Sequence, residues 1–80
     1  MSNTLTFDMI EKEIQDRNIS GYDIYEGEQV LIELDNHETL LFMKQNDCFR
    51  VVLERMSGEH VQLKKITTIE ELSEIINMYI

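Results

Sequence analysis

The sequence predicts an α+β fold: an N-terminal helix, a four- to five-stranded antiparallel meander sheet and a C-terminal helix, with both helices packed on one face of the sheet. Three observations carry this reading. Apolar residues recur at helical spacing near both ends of the 80-residue chain and alternate with polar residues in between. Short segments rich in turn formers separate the alternating runs. Those gaps are too short for crossover helices, so successive strands must run antiparallel.

The first helix is expected over Phe7 to Arg17. Phe7, Ile10 and Ile14 form one stripe, Met9 flanks it, and Glu11, Lys12, Glu13, Gln15 and Asp16 lie outside. Thr6 or Asp8 supplies the N-cap, Glu13 and Arg17 stand in the favourable i, i+4 order, and Asn18 and Gly21 are stop signals. From Tyr22 to Ile66 the period becomes two. One face then collects Ile24, Val30, Ile32, Leu34, Leu40, Phe42, Phe49, Val51, Leu53, Val61 and Leu63. The connections are Glu26-Gly27-Glu28, Asp35-Asn36-His37-Glu38, Gln45-Asn46-Asp47 and Ser57-Gly58-Glu59. The last helix opens on a capping box, Thr68 with Glu71, and carries Ile69, Leu72, Ile75, Ile76 and Tyr79 on one stripe. Tyr22 and Tyr79 fit core positions, whereas Tyr25 shares its face with Asp23 and is the tyrosine suited to a contact.

A chain of this length reads as a single domain over 1–80 with a thin core. No apolar run approaches a membrane span, and the first residues lack the basic and apolar regions of a signal peptide, so a cytoplasmic location is expected. Cys48 is the sole cysteine, which excludes an internal disulfide. Residue types with A/T-rich codons (Phe, Tyr, Met, Ile, Asn, Lys) number 30, against 6 for Gly, Ala, Arg and Pro together. That skew points to an A/T-rich bacterium, its phages or its mobile elements.

Sixteen acids against 7 bases give a net charge of −9, which argues against direct nucleic-acid binding. The charge is also polarised along the chain. Residues 1–38 carry a net −8, residues 39–66 a net +2, and the remainder −3. Carboxylates spaced along a helix and a hairpin can imitate the phosphates of a duplex and occupy a basic groove on a larger, nucleic-acid-handling protein. In size and charge the chain resembles the small acidic phage proteins that inhibit uracil-DNA glycosylase, restriction enzymes or CRISPR effectors. The side chains expected to make such a contact are Asp23, Tyr25, Glu26, Glu28, Asp35 and Glu38. This leading reading is a non-enzymatic inhibitor or regulator without cofactor or metal.

The alternative is a small dimeric adaptor or immunity-type protein. The outer face of the sheet displays Leu31, Leu41, Met43 and Val52, an apolar surplus that is either covered by a helix or bulge or forms a homodimer or partner patch. Arg50, Arg55, Lys64 and Lys65 make a basic strip that either pairs across strands with Glu33, Glu54 and Glu59 or meets the acidic half of a second copy. Catalysis has few candidates. No metal-ligand spacing or phosphate-cradling loop is present, His37 is expected at the opposite end of the sheet from Cys48, and His60 is expected near Cys48.

Overall fold

The computed structural model describes residues 4–80. Its elements are α1 (Phe7–Asp16), β1 (Tyr22–Tyr25), β2 (Gln29–Glu33), β3 (Thr39–Gln45), β4 (Cys48–Glu54), β5 (His60–Ile66) and α2 (Ile69–Tyr79). The five strands form one antiparallel sheet in the order β1-β2-β3-β4-β5, and each strand pairs only with its sequence neighbours. The expected fold class is the observed one.

Each hairpin turn contains a residue in the left-handed region. Gly27, His37, Asn46 and Gly58 take φ values of 86°, 67°, 45° and 93°. The right-handed twist of paired strands favours such turns, because they join the strands without splaying them. Thr6 caps α1 with its hydroxyl accepting from the Met9 amide at 3.2 Å, so Thr6 rather than Asp8 fills the cap. At the other end Asn18, at φ 56°, turns the chain out of the helix.

Both helices rest on the same face. A single core joins Leu5, Ile10 and Ile14 to Val30, Ile32, Leu40, Phe42, Phe49, Val51, Leu53 and Ile66, and to Leu72, Ile75 and Ile76. Phe49 is its centre at one end of the sheet, with the Phe7 ring edge-on at 5.1 Å and the Lys44 ammonium 5.1 Å from its centroid. The two helices run side by side in the same direction. The Leu5 amide donates to the Thr67 carbonyl at 3.0 Å near their starts, and Arg17 Nη1 donates to Asn77 Oδ1 at 2.7 Å near their ends. Between these points Glu13 Oε2 accepts from Arg17 Nε at 2.6 Å and from Ser73 Oγ at 3.2 Å. Parallel helices place like dipole ends together, and Arg17 lies between the two negative ends, where a cation is favoured.

Strict alternation breaks once. Val51 pairs with Lys64 but Val52 pairs with Gln62, which leaves Leu63 as an extra residue in a β-bulge. Without the bulge Lys65 would turn into the core and Ile66 out of it. With it, Lys64 and Lys65 are both exposed and Ile66 is fully buried. A second departure is Tyr79, which continues the core stripe in sequence but is 36% exposed. Its apolar neighbours Met78 and Ile80 are 74% and 56% exposed, so the last turn of α2 has lost the floor that the sheet gives Leu72 and Ile76.

The capping box at α2 is fully formed. Thr68 Oγ1 accepts from the Glu71 amide at 3.2 Å, while Glu71 Oε1 accepts from the Thr68 amide at 3.2 Å and the Thr67 amide at 2.8 Å. The hydrogen bond from the Thr67 amide is the main cause that holds the Glu71 carboxyl below its ordinary value, helped by the Thr67 hydroxyl, the Thr68 amide and the Lys64 charge. A depressed folded-state value contributes stability above the ordinary carboxylate range that is lost as pH falls through it. In urea denaturation Thr68→Ala should therefore cost about 1 kcal/mol. In thermal melts the advantage of the wild type over Glu71→Gln should shrink as the solution is acidified; a constant gap would contradict this origin for the shift.

Candidate functional site

With both helices on one side, the other side of the sheet is bare, and the strand register fixes what it displays. The central row reads Asp23, Leu31, Leu41, Val52, Gln62 from β1 to β5. Toward the β1–β2 turn lies the row Tyr25, Gln29, Met43, Arg50, Lys65. Toward the β2–β3 turn lies the row Glu33, Thr39, Glu54, His60. The four apolar residues expected here do share this face, but they do not form a uniformly exposed patch. Val52 has no exposure and Leu41 only 7%, whereas Leu31 and Met43 are part-exposed. Leu41 and Val52 occupy the middle of the sheet with same-face neighbours on all sides, and both stand apart from the core beneath the helices. They make a small second apolar floor, beside which lies the β5 bulge and over which no helix lies.

The acidic residues are split between two ends. Asp23, Tyr25, Glu26 and Glu28 belong to the β1–β2 hairpin at the sheet edge; all four are exposed, Tyr25 by 50%, and among the described residues no side-chain hydrogen bond or ion pair engages any of them. Asp35 and Glu38 lie in the β2–β3 turn at the other end of β2. Asp35 is exposed, but Glu38 is not the free carboxylate that was expected. Its side chain is 16% exposed, its Oε1 accepts from Asn36 Nδ2 at 2.8 Å, and its Oε2 is 3.6 Å from Arg55 Nε. Glu38 holds the turn, and strand pairing brings Arg55 to it from the next hairpin.

The bases divide in a similar way. Lys12 pairs with Asp16, Arg17 with Glu13, and Lys44 Nζ donates to the Asn46 carbonyl at 2.9 Å. The expected pairing of the basic strip with Glu33, Glu54 and Glu59 does not form, because Arg55 turns to Glu38 and Glu54 Oε2 takes His60 Nε2 at 2.9 Å. Arg50 and Lys65 are left directly opposite each other across β4 and β5, with no ion pair among the described residues. Like charges in register are unfavourable. They line a shallow cavity of about 460 Å³ with Gln62, Leu63 and Lys64.

Cys48 and His60 do not meet. Alternate turns of a meander share an end, so the fourth turn lies with the second, not with the third. His60 pairs with Glu54, six residues along β4 from Cys48, a separation of about 20 Å at the rise of an extended strand. His60 is thus at the end that holds His37, which corrects its expected position near Cys48. Cys48 is a part-buried free thiol beside Gln45. Among the described residues no group of three or more His, Cys, Asp or Glu is placed to hold a metal ion. Nor is any described helix long and apolar enough to cross a membrane.

A feature without a signal in the sequence is an open cleft of about 530 Å³ at the C-terminal ends of both helices, lined by Arg17, Ile19, Glu33, Leu34, Asp35 and Tyr79 among others. It arises where the α1–β1 loop, the β2–β3 turn and the end of α2 converge, three segments that periodicity cannot place together.

No protein-family model, curated protein or solved structure matches this chain.

The division of labour among the carboxylates has a measurable consequence. Glu38→Ala should cost about 0.5–1 kcal/mol of stability, the worth of a surface ion pair with supporting hydrogen bonds. Asp23→Asn and Glu28→Gln should each stay within about 0.5 kcal/mol of wild type. Equal losses at all three positions in urea titrations would contradict the assignment of Glu38 to structure.

Proposed function

We propose that the chain is a non-enzymatic inhibitor or regulator that docks its β1–β2 hairpin on a basic surface of a larger protein. The observation that carries this reading is the state of the hairpin. Asp23, Glu26 and Glu28 are exposed and have no side-chain partner among the described residues, and they flank a half-exposed tyrosine. Of the other acids of the first 38 residues, Glu13, Asp16 and Glu38 are occupied within the fold. Carboxylates without internal partners attract lysine and arginine from solution, and a rigid aromatic ring among them supplies apolar contact at low entropic cost.

The most concrete form of the reading is an inhibitor of a nucleic-acid-handling defence system, CRISPR interference or restriction, encoded by a phage or mobile element. The net charge of −9 and the A/T-codon skew support that form. The basic groove of such a target normally holds phosphates, and the hairpin would compete for it by charge. Of the six contact residues expected from sequence, Asp23, Tyr25, Glu26 and Glu28 form the proposed site; Asp35 stands at the far end of β2, and Glu38 is withdrawn from it.

Purified CRISPR effectors and restriction nucleases provide the test. Inhibition of one of them should be present at about 100 mM salt and largely lost at about 500 mM, because screening shortens the reach of exposed charges. Neutralising Asp23, Glu26 and Glu28 together should weaken it about 10- to 100-fold. No inhibition of any of them, or inhibition that is indifferent to salt and survives the triple neutralisation, would overturn the proposal.

A further inference from the structure

The bare face of the sheet has a property that a foreign partner does not explain: toward the β1–β2 turn, acid stands on the β1 side of β3 and base on the β5 side. On the β1 side stand Asp23, Tyr25 and, at the adjoining turn, Glu26 and Glu28. On the other side stand Arg50 and Lys65, opposed in register and lacking any acid partner among the described residues. Between them run Leu31, Leu41, Met43 and Val52, with the middle pair already buried and the outer pair part-exposed.

We infer that this face pairs with the same face of a second copy, about a twofold axis parallel to the strands and passing over β3. Such a rotation lays β1 of one copy over β5 of the other and β2 over β4, and keeps each row at its own height along the strands. Leu31 then faces Val52 of the second copy, Leu41 faces Leu41, and Met43 faces Met43. In the next row Gln29 faces Arg50 and Tyr25 faces Lys65, with Glu26 and Glu28 at the adjoining turn. Each copy's acidic hairpin thereby reaches the basic pair of the other, and the contact is made twice. The Lys65 ammonium meets an aromatic face as well as carboxylates. Two packed sheets keep their strands roughly aligned, which this axis provides. A twofold axis perpendicular to the strands would instead set Asp23 against Asp23. The axis parallel to the strands has one like-charge opposition, Glu33 over Glu54, at a solvated corner where Glu54 already holds His60.

The dimer accounts for the cost of opposing Arg50 to Lys65, which a monomer leaves uncompensated. It is also a weak dimer. Five strands about 4.8 Å apart give a face that buries about 1,000 Å² in total, the low end for a specific interface. Dissociation in the micromolar range is the expectation, so the 9.5 kDa chain should be monomeric when dilute and of twice that mass when concentrated. This inference does not depend on a foreign target.

Sedimentation equilibrium from about 10 μM to about 500 μM at low salt tests it, with two charge-reversed variants. Arg50→Glu with Lys65→Glu makes the face wholly acidic; Asp23→Lys with Glu26→Lys and Glu28→Lys makes both flanks basic. Each variant alone should remain monomeric with an unchanged circular dichroism spectrum, and a one-to-one mixture of the two should restore a dimer. Met43→Glu, on the axis, should weaken the wild-type dimer at least tenfold; it also serves if a reversed variant fails to fold. A strictly monomeric wild type, a mixture that stays monomeric, a dimer indifferent to Met43→Glu, or species that keep growing beyond two copies would each overturn the twofold arrangement.

Discussion

The structure depends on one packing constraint: two helices share a single face of a five-stranded sheet. Eighty residues provide apolar side chains for one core, and Phe42, Phe49, Ile10, Ile14, Leu72 and Ile76 are all spent there. With five antiparallel strands between them, β1 and β5 run the same way and the helices that adjoin them lie parallel, with their negative ends together. Arg17 answers that strain by bonding Glu13 in its own helix and Asn77 in the other. The shared face also brings together the loop and turn that border the cleft beside Tyr79. Neighbouring strands and their turns are joined locally, so the sheet can form from short-range contacts and the helices close over it.

The bare side of the sheet is the consequence of that constraint, and the functional reading follows from it. A face without a covering element must present polar groups or find a partner. This one presents acid at one edge, base near the other, and a narrow apolar seam between. The hairpin that supports docking on a basic target is also the hairpin that would contact a second copy. Self-association and target binding, as proposed, would therefore compete for Asp23, Tyr25, Glu26 and Glu28, and the weakness of the inferred dimer would leave the hairpin available at low concentration.

Local signals carried most of the fold. The Phe7, Ile10 and Ile14 stripe, the Thr68–Glu71 box and four turn segments each determine their own conformation, and the meander follows from the shortness of the gaps. Three features escaped because they depend on distant neighbours. Glu38 reads as a free turn carboxylate until β3 and β4 bring Arg55 beside it. The bulge at Leu63 is invisible because Lys64-Lys65 offers a polar residue in either register, so only the burial of Ile66 distinguishes them. Tyr79 continues a helical stripe whose underlying sheet has ended, and periodicity carries no information about where the floor stops. For the candidate surface, the alternation of strands placed Leu31, Leu41, Met43 and Val52 together on the outer face. It could not show that Leu41 and Val52 are closed over by their own neighbours, nor that Arg50 and Lys65 are left without partners.

In the proposed reading the bare sheet face and its acidic hairpin, not the helical side or the cleft beside α2, are the binding surface. Backbone amide shifts followed by NMR on dilution measure this most directly. Concentration-dependent shifts are expected at Asp23, Tyr25, Leu31, Met43, Arg50 and Lys65, with α1 and α2 unmoved. Shifts concentrated at Met78, Tyr79 and Ile80, with the outer face silent, would contradict it.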